Sequence, residues 1–258
     1  MVHIVTLVKQ SPDVEAIRID PKTGAPDVSG AGLKVSDYDK NAVEAAVQLK
    51  EAGGIDKVTA LSLGGDKLEE SIKEVLAMGC DEALLLRDAA FSTADTAEKA
   101  RLLALGVQKV DGGNLVIAAE ESLDSHSGQT GSRVAEQLGW PIVSNIVSDL
   151  KVADGKLSAT RETDDGLEDI EVALPCVIVV GEALNHPRLP ALMQILQAKN
   201  KPMTVLDAAG LGAGDITPKL DRPSSVAPKS ERKGIMLAGT PEEAAAELAK
   251  ILSKEGAF

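Results

Sequence analysis

The segment Glu121-Ser122-Leu123-Asp124-Ser125-His126-Ser127-Gly128-Gln129-Thr130-Gly131-Ser132-Arg133 gathers hydroxyls, glycines and a helix start in one place. It follows an aliphatic run, Leu115 to Ala119, and leads into a helical pattern that ends at Leu138. Free N–H groups at Gln129, Thr130 and Gly131 would face an anion, and the dipole of the helix would favour its charge. Gly128 and Gly131 let backbone approach a ligand closely. Thr130 and Ser132 add hydroxyl donors. The chemistry is that of a phosphate cradle; the plainer reading is an ordinary capped loop.

Three other segments should reach the same end of the fold. They are Leu7-Val8-Lys9-Gln10, the turn Val35-Ser36-Asp37-Tyr38-Asp39, and Leu61-Ser62-Leu63-Gly64-Gly65. In an open α/β sheet, ligands bind beyond the carboxyl ends of the strands. Apolar strand tips could take an adenosine ring while backbone amides take its phosphates.

No catalytic constellation accompanies the loop. There is no Gly-x-Ser-x-Gly elbow, no Walker loop and no Gly-x-Gly-x-x-Gly between strand and helix. His3, His126 and His186 are far apart; His3, in the first strand, suits a packed or hydrogen-bonded core role. Cys80 and Cys176 read as buried thiols in a reducing compartment, and no metal-ligand spacing is present.

The elements that would position the loop follow from periodicity. Ile4–Val8, Val58–Leu63, Glu82–Leu86, Leu115–Ala119 and Ile142–Val147 are strand-like. Asp39–Ala52, Asp66–Met78, Thr96–Gly106 and Gly131–Leu138 carry helical periods between them. Asp37 or Asp39 could cap the first helix, and Gly53, Gly79 and Gly139 could end theirs. This alternation predicts an α/β fold, a parallel sheet with helices on both faces. The Asp154-Gly155 and Asp164-Asp165-Gly166 turns predict a small antiparallel excursion, after which Cys176–Val180 returns as a buried strand. Pro190–Ala198 reads as a helix. From Asp207 to Arg232 periodicity is lost, and Pro241–Leu252 forms a last amphipathic helix. The organisation is thus an α/β domain over 1–206 and an extended C-terminal arm with a helix over 207–258.

Aromatic residues are 2% of the chain and hydrophobic ones 44%, so the core must be aliphatic. A net charge of -13 disfavours nucleic acid and anionic membranes as general partners. The N-terminus opens on a strand-like run without a secretory pattern, and no apolar stretch is long enough to insert in a membrane, which points to the cytoplasm.

Taken in order, these segments resemble the beta subunit of electron-transfer flavoproteins. Ile4-Val5-x-x-Val8-Lys9-Gln10-x-Pro12-Asp13 is similar to that family's N-terminus. Asp39-x-x-Ala42-Val43-Glu44-x-Ala46-x-x-Leu49-Lys50-Glu51 resembles its first helix, and Ala77-Met78-Gly79-Cys80-Asp81 its A-M-G-A-D turn. Asp124–Gly131 with Ala135-Glu136-x-Leu138-Gly139-Trp140-Pro141 resembles its nucleotide loop. Leu184-Asn185-x-Pro187-Arg188 and Ala198-Lys199-x-Lys201-Pro202 resemble its signature.

The resemblance implies a sheet of the adenine-nucleotide α-hydrolase-like kind and a heterodimer with an alpha subunit that carries a flavin adenine dinucleotide (FAD). It implies AMP, or a second FAD in flavin-bifurcating members, in this subunit, and electron transfer from dehydrogenases to an acceptor without catalysis by side chains. Whether bifurcation with NADH occurs stays open. By position, Leu7, Ser36, Leu63 and the stretch from Ala119 through Asp124, Ser125, His126, Ser127, Gly128, Gln129 and Thr130 carry the nucleotide contacts. Lys9, Asp37, Tyr38, Asp39 and Gly131 complete the expected cofactor site. Leu192 matches a leucine that docks on dehydrogenases, within Arg188-Leu189-Pro190-Ala191-Leu192-Met193. The chain departs from the family at Ser36-Asp37, where Asn-Pro is usual, and at Ala119, His126, His186 and Leu189.

The residues themselves allow Leu189, Leu192, Met193 and Leu196 to form one apolar stripe, with Leu196 packed on the sheet and Leu192 exposed as an anchor. Two other functions use the same sheet. One is a nucleotide-dependent enzyme of the adenine-nucleotide α-hydrolase type, although Leu63-Gly64-Gly65-Asp66 lacks the serines of its phosphate motif. The other is a nucleotide-sensing binding protein, which has no need of a long arm.

Overall fold

The computed structural model describes residues 1–220, 224–228 and 232–257. Nine strands form one sheet: β1 His3–Val8, β2 Lys57–Leu63, β3 Glu82–Leu86, β4 Gly113–Ala119, β5 Ile142–Ala153, β6 Lys156–Thr163, β7 Gly166–Ala173, β8 Cys176–Val180 and β9 Met203–Leu206. Their order across the sheet is β7-β6-β5-β8-β4-β1-β2-β3-β9. The run from β5 to β9 is parallel, and β5, β6 and β7 form an antiparallel meander on the far edge.

The central strands are apolar on both faces because helices cover both. Ile4 and Val8 face one side with Val58, Leu115, Ile117 and Ile178, under α1 (Asp37–Ala52) and α2 (Leu68–Met78). Val5 and Leu7 face the other with Leu61, Val116 and Val179, under α3 (Thr96–Lys109) and α4 (Thr130–Leu138). The pleat assigns alternate residues to opposite cores. Gly139 closes α4 in the left-handed region (φ 67°), and Trp140 packs behind it against the second core.

The sequence reading needs correction at several points. β5 does not stop at Val147: it runs on through Lys151–Ala153, and Asn145 and Asp149 take φ of 57° and 52° where the pairing register slips. Bulges of this kind break the alternation that would announce a long strand. Neither Asp37 nor Asp39 caps α1; Ser36 stands at the cap position without a side-chain bond, and Asp39 gives its carboxylate to the Lys9 amide, 2.7 Å away. Residues 10–35 add two short ladders: Gln10–Pro12 pairs with Leu33–Val35, and Arg18–Ile19 with Pro26–Asp27. β9, unread in the sequence, is a four-residue parallel edge strand beside β3.

Beyond Leu206 the chain stays on the body for some distance. Ala208–Leu211 forms a short helix, α6, and Leu211 and Ala213 are buried in the second core. Arg101 of α3 donates to the Ala213 carbonyl at 2.7 Å, and Asp95 accepts from the amides of Lys219 and Leu220. Part of the sequence-predicted arm, residues 221–223 with Pro223, 229–231 and 258, lies outside the described residues. The final helix, Pro241–Lys254, starts on a reciprocal Thr240–Glu243 cap and buries none of its residues. Among the described residues no helix is long and apolar enough to cross a membrane.

Candidate functional site

A cleft of about 800 Å³ opens beyond the carboxyl ends of β1, β2, β3 and β4. Leu7, Lys9, Asp39, Leu63, Ala119, Asp124, Ser125, Ser127, Gly128, Gln129 and Thr130 all line it. The strand tips supply Leu7, Leu63, Ala118 and Ala119; the loop after β4 forms one wall. A further wall comes from the segment after β3 and from α3, with Arg87, Asp88, Phe91, Ser92, Thr96, Lys99 and Leu103. The sequence reading missed this second wall. Its only signal was position: Arg87-Asp88 directly follows a parallel strand.

Charge inside the cleft is arranged around Lys9. Its ammonium lies 2.6 Å from Asp124 Oδ1 and donates to Ser122 Oγ at 3.1 Å. Ser122 Oγ in turn donates to Asp124 Oδ1 at 2.8 Å. Burial would raise the Asp124 carboxyl, but the Lys9 and Ser122 bonds hold it below the usual carboxylate range. Asp39 is different. Burial pushes it up to about 7, against the opposing pull of the Lys9 amide and charge, with Asp124 adding to the rise. Glu120 is likewise raised, by burial and then by the charges of Glu121 and Glu182.

The start of α4 is an open set of donors. Its cap residue Gln129 makes no side-chain cap bond, and Arg133 N–H to the Gln129 carbonyl begins the helical ladder. The amides of Thr130, Gly131 and Ser132 precede that first bond and point beyond the helix end. Gly128, at φ 60°, turns the loop into the helix in a conformation that suits glycine. Gly131 has a packing role as well: a Cβ there would lie 2.5 Å from Val179 Cγ2, so glycine lets α4 settle on β8.

Besides Gly131, four of the expected residues, Ser36, Asp37, Tyr38 and His126, do not line the cleft. Ser36 is fully buried and its hydroxyl has no partner. Asp37 pairs with Lys34 and Lys40. Tyr38 meets His126 edge-on, with ring centres 6.2 Å apart, while His126 Nδ1 lies 2.7 Å from Glu121. These contacts bind the loop after β4 to the first turn of α1. A second cavity, of about 500 Å³, lies against the same loop, lined by Glu120, Glu121, Gly128, Ser132, Ser144, Asn145 and Val179.

The expected docking segment is on a different surface. Arg188 is engaged within the chain: its guanidinium donates to both Glu44 (2.8 and 2.9 Å) and Glu51 (2.6 and 2.9 Å) of α1. Asn185 and Asn41 also exchange amide bonds, at 2.9 and 3.0 Å. This clamp presents Leu189, 94% exposed, Leu192, 71%, and Met193, 63%, with Ala191 exposed between them. Leu196 departs from expectation: it is 46% exposed, because α5 (Leu192–Ala198) lies on α2 through Ala198 instead of covering the sheet. His3 is buried as expected, within 2.9 Å of the Asp111 carbonyl and 2.7 Å of Thr59 Oγ1. Both cysteines are buried, and burial pushes each thiol up to about 12.

The architecture is that of an α/β protein with a cleft beyond the carboxyl edge of its sheet and an exposed apolar segment elsewhere. Residues 27–211 match the electron transfer flavoprotein domain family. The chain is also 37% identical over 210 residues to the caffeyl-CoA reductase-Etf complex subunit CarD of Acetobacterium woodii, a match covering 81% of this chain and 80% of that protein. The chain belongs to the electron transfer flavoprotein family, as a subunit of the beta type, and its work is electron transfer.

Proposed function

We propose that this chain is the beta subunit of a heterodimer whose alpha subunit carries FAD, and that its own cleft holds an adenine nucleotide. The observation that carries the reading is the uncapped start of α4 opening on the cleft at the ends of four parallel strands. The residues present fit such a ligand. The Thr130, Gly131 and Ser132 amides would take a phosphate, Gly128 keeps its approach clear, and Leu7, Leu63 and Ala119 would take an apolar ring. A bound flavin supplies the one-electron and two-electron chemistry. This chain's residues bind, orient and exclude water.

The second wall of the cleft bears on which nucleotide it is. Arg87, Phe91, Ser92 and Leu103 extend the space beyond what a mononucleotide on α4 would fill. That extent favours a second FAD over AMP. The exposed leucines at 189 and 192 support docking on an electron-donating dehydrogenase, and the named complex of the Acetobacterium relative favours an oxidoreductase partner that acts on acyl thioesters. The unburied face of the last helix, within residues 207–258, supports docking of the arm on the alpha subunit.

The test is to co-express the chain with an alpha subunit, purify the complex and denature it. Two FAD per heterodimer is expected; one FAD with AMP would keep the nucleotide site and change its ligand. A stable colourless monomer that releases no nucleotide would overturn the reading.

A further inference from the structure

Two carboxylates are buried among the described residues, Asp39 and Glu44. Glu44 is matched by Arg188. Asp39 has no ion-pair partner among the described residues: the ammonium of Lys9 is turned to Asp124 and Ser122, and only the Lys9 amide reaches Asp39, at Oδ2. Asp39 is 7% exposed, and what is exposed lines the cleft. A buried carboxylate with acceptor capacity left over is costly unless something donates to it.

We propose that Asp39 is the specificity-determining acceptor of the cleft, taking a hydrogen bond from a neutral donor on the nucleoside, either the adenine 6-amino group or a ribose hydroxyl. The inference rests on the nucleotide reading of the cleft. A phosphate is excluded from this position by like charge, with Asp124 on the same wall; the amides of α4 supply the anion site instead. A donor on the nucleoside restores what burial removed, and a site built this way rejects analogues that lack the donor. The elevated proton affinity of Asp39 agrees, since an acid poised near neutrality binds such a donor better once ionised. The charged groups acting on it are Lys9 from the end of β1 and Asp124 from the loop after β4; Asp37 and Lys40 lie on its own helix, paired with each other.

The experiment uses the complex of the full chain with its alpha subunit, freed of the nucleotide of this cleft under non-denaturing conditions, as wild type, Asp39→Asn and Asp39→Ala. Equilibrium titrations with FAD, AMP, IMP, 2′-deoxy-AMP and 3′-deoxy-AMP are run at about pH 6 and about pH 8, near one unit either side of the Asp39 value. Wild type should bind AMP about 10-fold more tightly at the higher pH, beyond any change shown by Asp39→Asn, whose comparison cancels the titration of the phosphate itself. Asp39→Ala should lose about 10- to 100-fold for AMP, the scale of one hydrogen bond to a charged group. Either IMP or one deoxy analogue should bind wild type as weakly as AMP binds Asp39→Ala, and that arm identifies the donor. Melting curves check the fold of each variant. Equal AMP affinity in wild type and Asp39→Ala, identical pH profiles in wild type and Asp39→Asn, or no analogue that discriminates would overturn the assignment of Asp39 alone. Failure of wild type to bind AMP or FAD at all would overturn the nucleotide reading with it.

Discussion

Lys9 Nζ sits 2.6 Å from Asp124 Oδ1 and joins the tip of β1 to the loop after β4 across the floor of the cleft. The lysine side chain is 40% exposed, so the pair contributes little to global stability, about 0.5 kcal/mol. Lys9→Met should leave the melting temperature nearly unchanged while amides of residues 121–128 exchange hydrogen faster. Unchanged exchange there would show that the bond does not hold the loop.

Arg188 and Glu44 should behave differently, because the Glu44 side chain is only 4% exposed. Arg188→Ala leaves that carboxylate without its cation and should cost about 2–3 kcal/mol. Burial alone would raise Glu44, but Arg188 holds it below the usual range. The stability it gives is therefore present above the ordinary glutamate value and lost as pH falls through the lowered one. Thermal melts across the acid range should show the wild type losing this increment only in strong acid, and the variant lacking it throughout.

Asp39 has the opposite sign. Its carboxyl is raised from 3.8 to about 7 in the folded chain. The folded state keeps the proton that the unfolded state gives up, so the associated stability is full below the unfolded value and lost as pH rises through about 7. Asp39→Asn should therefore raise the melting temperature of the empty protein more at about pH 8 than at about pH 5. An equal effect at both would contradict the burial of this charge.

Gly131→Ala would push a methyl into Val179 Cγ2. The expected cost is about 1–3 kcal/mol, the range for overpacking. The added Val179→Ala change should return most of that stability. Nucleotide retention by the double variant tests whether α4 has regained its position over the cleft.

Removal of residues 241–258 should not lower the melting temperature of the isolated chain, since no residue of the helix Pro241–Lys254 is buried. The same truncation should abolish co-purification with a flavin-bearing alpha subunit. Retained association would assign the helix another partner.

The parallel sheet was legible because its strands are mostly aliphatic or β-branched runs, separated by segments of helical period. The apolar run from Ile4 to Val8, with both faces buried, can only be central. The cleft was legible where glycines and hydroxyls cluster, as in Ser127-Gly128-Gln129-Thr130. It was not legible at Arg87, Phe91 and Leu103, which come together only because β3 and α3 end at the same edge. Arg188 could not be read as an internal clamp, since nothing local in Pro187-Arg188 points to Glu44, distant in sequence on α1. β5 hid its length behind Asn145 and Asp149, whose left-handed backbone shifts the phase of the alternation.

Trp140, just past the left-handed end of α4, gives the molecule an optical gauge. It is the only tryptophan in the chain, and the nine residues of α4 set its turn apart from the amides at the helix start by a helix roughly 14 Å long. A flavin lodged there would quench the ultraviolet-excited emission of the indole, and the emission lost would report occupied sites without any added label.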